Sequence, residues 1–475
     1  MARNVVIVGA GLGGLSAAIH ARLRGWDVLV LEQSDRTGGK AAGIEIDGFH
    51  LDPGPSIIIV PEIYRDVFRA AGRNPDDYLQ FERLSVLSRI YFEGSETVDL
   101  PADYDECLRL LRGLAPDDEA AFRALISKLD GCVPNLERAV FERPILKQSD
   151  FMRPGLLSFG MKFNPFRTYK DMVDGWFSSP LLRAFFYGFP SYSGQTYRDN
   201  APGALLIPYY MLQSGVYFPR GGVRAIPAAF ERLASELGVE FRFGARFKQF
   251  VGEQSVELDG GEILEADGVI CNIDKLTATG ETQVEPSMSY FTLHWGLRRE
   301  LSGLEHHTLL IPKDFERGFK KLYANQFPNP PIAYLNATAA LDPEAAPPGC
   351  TNLFAVVTVP ADVPALDWHE RRDEYRDLVL SVIRKAGFEW DDAEILFERV
   401  QDPPYFAQAH GNYRGSLYGP TQKHRAFGLF PLMNWDSKHP HRAYCGGSVQ
   451  PGAGLPMVTL SGKFAVDSLA KVARG

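Results

Sequence analysis

The spacing of apolar and polar positions predicts a βαβ unit at the start of the chain. An apolar, β-branched run covers residues 4–8, helical spacing follows over residues 12–24, and a second strand pattern covers residues 27–31. A buried strand that passes through a helix into another buried strand is typical of a parallel sheet. The sequence therefore predicts an α/β fold that opens with a Rossmann-type domain.

The rest of the pattern predicts discontinuous domains. Helical spacing dominates residues 101–214, whereas strands with interspersed helices return after residue 286. We expect a nucleotide-binding domain (1–75, 215–285 and 436–475), a substrate-binding domain with an antiparallel sheet (76–100 and 286–435) and a helical subdomain (101–214).

The helical subdomain is unusually aromatic over residues 151–218, with runs such as L-L-R-A-F-F-Y-G-F-P. Two interpretations are open. The side chains form either an ordinary aromatic core or a surface that rests on a membrane or lines a tunnel for a long apolar substrate. Lys162, Arg167 and Lys170, which stand beside the apolar residues, are typical of an interfacial segment.

Composition narrows the class of protein. The 475 residues include 59 acidic and 50 basic side chains, a net charge of −9, without the basic stripe of a nucleic-acid-binding protein. Five scattered cysteines form no C-x-x-C pair, and the N-terminal residues do not resemble a signal peptide. The longest apolar stretch, around 203–212, is half of the ~20 residues that span a bilayer. We expect a cytoplasmic protein without a transmembrane helix.

Four glycines lie where the first strand turns into the first helix. In G-A-G-L-G-G at 9–14, Gly9 permits the tight turn, Gly11 lets the backbone approach a pyrophosphate, and Gly14 allows close packing of helix on strand. Glu32 ends the second strand, where its carboxylate can accept hydrogen bonds from ribose hydroxyls. This combination predicts a site for NAD or FAD and disfavours NADP, because a carboxylate repels a 2′-phosphate.

Further glycine-rich segments recur to the end of the chain. They are R-T-G-G-K at 36–40, D-P-G-P-S at 52–56, Y-F-P-R-G-G at 217–222, A-D-G-V-I-C-N at 266–272 and C-G-G-S-V-Q-P-G-A-G-L-P-M at 445–457. Together with the first motif they resemble the FAD-dependent carotenoid (phytoene and diapophytoene) desaturase family of the amine oxidase-like flavoprotein superfamily. The loops D-P-E-A-A-P-P-G at 342–349 and G-S-L-Y-G at 415–419 also resemble those of carotenoid desaturases.

The resemblance implies that FAD is the cofactor and that matched residues contact it. Pro53 stands in a variable place of its motif and should only stiffen the turn. Lys40 has two interpretations, a cation that helps to hold the cofactor or a solvated surface charge. The residues implied to bind FAD are Gly9, Gly11, Gly13, Gly14, Glu32, Gly38, Gly39, Lys40, Gly54, Pro55, Ser56, Asn272, Gly446, Gly447, Gly454, Leu455, Pro456 and Met457.

The resemblance also implies an activity. We expect desaturation of a long apolar isoprenoid, such as a carotenoid precursor, by hydride transfer to the flavin. Peripheral contact with the inner face of a membrane and reoxidation by a quinone or by oxygen are the corresponding expectations. The residues indicate no catalytic acid or base.

Other functions remain open at this stage. Within the family, the chain could be an isomerase, a saturase or a terminal oxidase. An FAD amine oxidase shares the framework, although Gly446-Gly447-Ser448 lacks that group's acidic residue. A non-catalytic prenyl-lipid binder, similar to the Rab escort proteins and GDP-dissociation inhibitors, is disfavoured by the intact glycines.

The histidines supply weaker signals. The pairs His306-His307 and His439/His441 lack carboxylate or cysteine neighbours at ligand spacing, so solvated turns are expected and no metal site is. His294 and Trp295, on an expected strand of the substrate domain, are candidate substrate contacts. A packed core histidine is the competing interpretation of His294.

Overall fold

The computed structural model of the chain describes residues 3–54, 56–146, 148–164, 166–199, 201–362, 366–421, 432–435 and 438–472. Its strands are β1 (Asn4–Val8), β2 (Asp27–Leu31), β3 (Ile44–Ile46), β4 (Phe49–Leu51), β5 (Phe81–Arg83), β6 (Val86–Phe92), β7 (Val98–Pro101), β8 (Tyr217–Pro219), β9 (Glu240–Arg242), β10 (Phe247–Val251), β11 (Ser255–Leu258), β12 (Ile263–Glu265), β13 (Gly268–Cys271), β14 (Ser289–Leu297), β15 (His307–Ile311), β16 (Ala333–Asn336), β17 (Thr351–Val359), β18 (Ile395–Gln401) and β19 (Arg442–Tyr444).

The helices connect and cover these strands. They are α1 (Leu12–Leu23), α2 (Glu62–Ala70), α3 (Tyr104–Leu114), α4 (Glu119–Asp130), α5 (Val133–Phe141), α6 (Pro154–Phe163), α7 (Tyr169–Trp176), α8 (Pro180–Tyr187), α9 (Leu206–Gln213), α10 (Ala225–Glu236), α11 (Lys275–Ala278), α12 (Phe315–Tyr323), α13 (Trp368–Lys385), α14 (Pro403–His410) and α15 (Leu455–Val472).

A five-stranded parallel sheet joins the two ends of the chain. Its strand order is β19-β13-β1-β2-β9, and each neighbouring pair is parallel. The β-branched side chains of β1 are buried on both faces, as expected for a central parallel strand. Helix α1 packs against α10 and α15. A side chain on Gly462 of α15 would lie only 2.4 Å from the carbonyl oxygen of Gly13, so glycine allows this close helix contact.

A seven-stranded sheet forms the second layer, in the order β18-β14-β17-β16-β15-β6-β7. Its pairs are antiparallel except that β6 runs parallel to β15. The expected antiparallel sheet is therefore mixed at this one pair, which joins strands from opposite sides of the helical insertion. Strand β5, expected in the same domain, pairs with β8 instead.

Helices α3 to α9 share one apolar core with the edge of this second sheet and with α12. Phe159, Tyr169 and Tyr187 are fully buried there, so much of the aromatic stretch forms an ordinary core. Met161 and Phe166 instead expose 78% and 80% of their surface. None of the helices in the described part of the chain combines the length and hydropathy that crossing a bilayer requires.

Candidate active site

The glycine loop, residues 9–14, is packed so closely that side chains would not fit. A Cβ on Gly11 would lie 2.7 Å from Nδ2 of Asn272, and one on Gly13 would lie 2.6 Å from its Oδ1. A Cβ on Gly14 would meet the carbonyl oxygen of Gly9 at 2.0 Å. None of the described side chains caps the N-terminus of α1. The first backbone N–H groups of this helix are thus available to an anion.

Glu32 closes one side of the glycine loop at the end of β2. Its Oε2 accepts a hydrogen bond from the backbone N–H of Ala10 at 2.8 Å, and its Oε1 accepts hydrogen bonds from the N–H and the hydroxyl of Ser34. These bonds orient a carboxylate that is 8% exposed and lines the cavity described below. Its position is the one expected for a contact with a ribose.

The second glycine pair lies directly against the first motif. The N–H of Gly38 donates to the carbonyl of Ala10 at 2.9 Å, and Gly11 and Gly38 form an isolated parallel β-bridge. Gly39 approaches so closely that its Cβ would lie 3.3 Å from Cα of Gly11. Gly11 and Gly38, 27 positions apart in sequence, therefore belong to one cradle.

Lys40 follows the second glycine pair and lines the cavity, and its exposed surface faces the cavity. Its Nζ donates a hydrogen bond to Oδ1 of Asn412 at 3.0 Å. Desolvation by the surrounding protein atoms lowers the pKa of the lysine, although the side chain is exposed in the cavity, and the nearby Asp274 partly offsets that effect. Burial in turn raises the pKa of Asp274 to about 6. Lys40 is an exposed residue that lines the cavity, so its contact with the cofactor stays a prediction.

The segment at 52–56 ties the cradle to α10. Asp52 accepts hydrogen bonds from the backbone N–H groups of Val223 and Arg224 at 2.8 and 3.2 Å, just before the helix begins. A Cβ on Gly54 would lie 2.4 Å from the carbonyl oxygen of Lys40. Ser56 lines the cavity, while Pro55 lies outside the described residues.

The C-terminal motif completes the cradle from the other side. The N–H of Gly446 donates to the hydroxyl of Ser461 at 2.8 Å, and a Cβ on Gly446 would lie 3.2 Å from Oδ1 of Asn272. Gly454 precedes the N-terminus of α15 and has a φ of 97°, a conformation that favours glycine. The N-termini of two helices, α1 and α15, thus adjoin the same cavity.

This donor set fits the pyrophosphate and ribose of FAD. Exposed backbone N–H groups, helix N-termini and a close glycine surface suit the diphosphate, and Glu32 suits the ribose. Gly13 and Gly14 pack behind the cavity wall and hold the loop in shape. The expected cofactor residues that line the cavity are Gly9, Gly11, Glu32, Gly38, Gly39, Lys40, Gly54, Ser56, Asn272, Gly446, Gly447, Gly454, Leu455, Pro456 and Met457.

The cavity continues from the cradle into an apolar compartment, and its volume is about 890 Å³. The compartment lies between the helical insertion and the seven-stranded sheet. Its walls include side chains from α5, α6, α8, α9 and α12, among them Leu136, Leu156, Phe185, Ile207 and Phe319. A nucleotide cradle that opens into an apolar space can hold a redox cofactor against a long hydrocarbon.

The two candidate substrate residues of β14 do not line this cavity as described. Trp295 points to the opposite face of the sheet, where it packs in another apolar core and donates to Glu398 at 2.5 Å. His294 faces the cavity side but is fully buried and stacks on Phe354 at 4.6 Å. Burial, with a smaller effect of Arg399, lowers its pKa to about 3. His294 is therefore a packed core histidine. The expectation that Trp295 contacts the substrate is corrected, because the alternation of side chains along β14 turns Trp295 away from the cavity.

The sequence interpretation missed a group of tyrosines on the cavity wall. Tyr192, Tyr290 and Tyr418 line it, and the hydroxyl of Tyr418 donates to that of Tyr290 at 2.7 Å. Burial raises the pKa of Tyr290 to about 12, so its hydroxyl is neutral. The period of two along β14 places Tyr290 and Thr292 on one face of the strand, but it does not indicate that this face meets the cavity.

A parallel sheet with a glycine cradle and an adjoining apolar compartment is the arrangement expected of a nucleotide-dependent oxidoreductase. The sequence matches the family described as flavin containing amine oxidoreductase over residues 12–470. The chain belongs to this family, and it is an FAD-dependent oxidoreductase.

Similar proteins of known name confirm the resemblance to carotenoid enzymes. The zeta-carotene-forming phytoene desaturase of Myxococcus xanthus is 31% identical over 487 residues, which cover 98% of this chain and 94% of that protein. The 4,4'-diapolycopene oxygenase of a Methylomonas species is 30% identical and covers 98% of both chains. The 4,4'-diaponeurosporene oxygenase of Staphylococcus haemolyticus is 28% identical over 98% of this chain and 97% of its own.

Solved structures share the fold at low sequence identity. An oxidoreductase from Methanosarcina mazei superimposes with a TM-score of 0.67 at 16% identity and covers 98% of this chain and all of its own. Putrescine oxidase bound to putrescine gives 0.63 at 15% identity, with both chains fully covered. A Rab GDI from Plasmodium falciparum gives 0.51 at 15% identity over 84% of this chain and 89% of its own.

Proposed function

We propose that this oxidoreductase desaturates a long isoprenoid of the carotenoid-precursor type. The observation that carries the proposal is the single cavity that leads from the FAD cradle into an apolar compartment. The names of the similar phytoene desaturase and diapocarotenoid oxygenases support the same substrate class.

Bound FAD would supply the acceptor for a hydride from an allylic carbon. The described residues would bind and orient the chain: Leu136, Phe185, Ile207 and Phe319 would exclude water and keep a CH2–CH2 pair extended beside the cofactor. A hydrocarbon offers almost no polar handle, so shape and apolar burial must supply the specificity.

Terminal oxidation of a similar polyene is the second candidate, because two of the similar proteins are named oxygenases. Isomerisation and saturation would use the same compartment. The amine oxidase alternative is disfavoured by the apolar walls. The prenyl-lipid binder is disfavoured by the close-packed glycines, which a protein without a dinucleotide would not need.

The test is a substrate panel with purified protein, FAD and liposomes. Phytoene, a diapophytoene and their partly desaturated products should be oxidised, with products identified by absorbance and mass, whereas amines should not. Ile207→Trp, which fills the compartment, should abolish turnover but leave FAD bound. Leu114→Trp, which introduces the same side chain at an exposed position, serves as the control. Oxidation of an amine and of no polyene would refute the proposal.

We also propose peripheral contact with the inner face of a membrane. Four apolar side chains on and around α6 are exposed and are called the apolar patch below: Met152, Leu157, Met161 and Phe166. Lys162 and Arg167 flank it, a combination that suits an anionic lipid surface. Leu156, on the same helix, lines the compartment, so a substrate could pass from lipid along this helix into the cavity.

Four further proposals concern the electron acceptor, the location, the domain division and nucleic acid. A membrane quinone or oxygen would reoxidise the flavin, and the patch would bring the enzyme to a lipid-soluble acceptor. A cytoplasmic location agrees with the free thiols of all five cysteines, which lie within the described ranges. The sheets support the division into FAD-binding, substrate-binding and helical parts, and the net charge of −9 disfavours a nucleic-acid partner.

A further inference from the structure

A chain of hydrogen-bonded polar groups interrupts the cavity wall beside the apolar compartment. Ser56 and Tyr334 both line the cavity, and their hydroxyl oxygens are 2.7 Å apart. Behind them, Nδ1 of His307 lies 2.6 Å from the Tyr334 hydroxyl. The three groups come from a loop and from strands β15 and β16, and they form a continuous path from the cavity into the sheet.

The path begins where the FAD cradle meets the apolar compartment. Gly54, two residues before Ser56, packs on the carbonyl of Lys40 in the cradle. Ile57 and Ile59, which follow Ser56, line the compartment. Ser56 is therefore near the place at which a hydrocarbon held in the compartment would approach the cofactor.

His307 differs from its sequence-based interpretation as part of a solvated turn. It is 2% exposed and lies in β15, where it pairs with Asn336 of β16. Its Nε2 has no hydrogen-bond partner among the described residues. The amide of Asn336 donates to the backbone carbonyl of His306 at 2.9 Å and fixes this end of the strand pair. The imidazole of His307 is therefore buried with only Nδ1 engaged in a hydrogen bond. Through Nδ1, it can exchange a proton with Tyr334.

Building on the proposed desaturation, we propose that Ser56, Tyr334 and His307 form the relay that accepts the proton released when the double bond forms. One C–H bond of the substrate breaks with both electrons leaving as hydride to the flavin. The adjacent C–H bond breaks in the other sense: its electron pair becomes the new double bond, and its proton passes to Ser56 Oγ. The Ser56 proton moves to Tyr334, and the Tyr334 proton moves to Nδ1 of His307.

The same contacts serve the relay before and after transfer, because hydroxyl hydrogens can rotate. Before transfer, Ser56 donates to Tyr334 and Tyr334 donates to Nδ1. Afterwards the direction reverses, and Nδ1–H donates to Tyr334 while Tyr334 donates to Ser56. The proton would return along the same groups when the flavin is reoxidised, because a quinone that takes up the hydride and this proton becomes the quinol.

Burial, with a smaller effect of His306, lowers the pKa of His307 well below its usual value, so the ring is neutral and able to accept a proton at pH 7. A weak base suffices for this step, because a carbon next to a developing allylic cation is strongly acidic. Ser56 and Tyr334 touch the cavity and are the catalytic groups, whereas His307 acts through Tyr334.

The experiment compares purified, FAD-loaded variants in a single anaerobic turnover, read as bleaching of the flavin by a polyene substrate. Ser56→Ala, Tyr334→Phe and His307→Asn should each slow bleaching by about 100-fold, the lower end for loss of general acid–base catalysis. For Tyr334→Phe and His307→Asn, the flavin content, the visible flavin spectrum and the Kd of the coloured polyene product should stay within about two-fold of the unmodified enzyme. His307→Asn keeps a polar atom near the Nδ1 position but cannot take the proton, which separates proton transfer from structural support.

Two controls bracket the result. Ser56→Thr keeps the hydroxyl and should restore most of the rate, and Tyr91→Phe removes a hydroxyl bonded to Gly303 on the same sheet, outside the described cavity lining. Bleaching rates of Tyr334→Phe and His307→Asn within three-fold of the unmodified enzyme would overturn the relay. An unmodified enzyme whose flavin no polyene bleaches would instead refute the proposed function. If a substitution prevents folding, the remaining two decide.

Discussion

Single glycines carry the cofactor cradle because each occupies a position where a Cβ would strike a neighbour. Gly11 and Gly13 face Asn272, and Gly14 faces the carbonyl of Gly9. Glycine pays more conformational entropy on folding than alanine does, so its presence in a helix calls for such a reason. The motif at 9–14 could be recognised from sequence because this constraint is local. Asn272, which packs against it, belongs to a second motif that begins at residue 266.

At this scale we predict opposite effects for the same substitution in two helices. Gly14→Ala should lower FAD affinity at least ten-fold and destabilise the protein, because the new methyl group displaces the loop. Gly113→Ala in α3 has open space among the described residues and should raise stability by up to about 1 kcal/mol. Flavin content after gel filtration and urea unfolding measure both effects. Equal flavin retention in the two variants would contradict the assignment of the cradle.

The helices and strands differ in how well they can be predicted from the sequence. Helix α1 and strands β1 and β2 agree with expectation to within one residue, because their spacing is strong and local. Strands β15 and β18 have weaker sequence patterns: β15 begins with a histidine, and β18 lies at the sheet edge, where partial exposure blurs the alternation. For β14 the strand was predicted, but a period of two does not reveal which face meets the cavity.

Helix α6 also shows how one element can have two roles. Phe159 and Phe163 pack in the core, while Met161 and Phe166 point outward. We predict that the double variant Met161→Ser/Phe166→Ser binds vesicles containing phosphatidylglycerol at least ten-fold more weakly, since each lost apolar contact is worth on the order of 1 kcal/mol. Flotation of vesicles with bound protein measures the change. Ile263→Ser, an exposed apolar residue of β12, is the matched control and should bind normally.

The stability of the whole molecule depends on buried histidines that are neutral in the folded state. Burial lowers the pKa of His306 to about 4 and, with Arg399, that of His294 to about 3. The pKa of His307 is lowered in the same direction, chiefly by burial. Their contribution is complete above the unfolded value of about 6.5 and is lost as the pH falls through the folded values. Asp274 and Asp52, whose pKa values burial raises, act in the opposite sense but are fewer.

We therefore predict that the free energy of unfolding falls between pH 6.5 and pH 4. Each such histidine contributes a slope of up to ~1.4 kcal/mol per pH unit. Urea titrations across this range measure the slope. His294→Asn should reduce the slope of the free energy of unfolding against pH by up to the contribution of one proton, whatever the stability of the variant at pH 8. A pH-independent free energy would show that these imidazoles are not neutral and buried in solution.

The FAD cradle could be predicted from the sequence because its requirements are local. Backbone sterics require glycine at each close approach, and the ribose contact requires an acidic residue at a strand end. The wall of the apolar compartment was not. Ser56, His307 and Tyr334 are far apart in the chain and become neighbours through the pairing of β15 with β16 and the path of the loop after β4. Strand register and facing are cooperative outcomes of packing, so the parity that turns Tyr290 toward the cavity and Trp295 away from it could be read only from the folded chain.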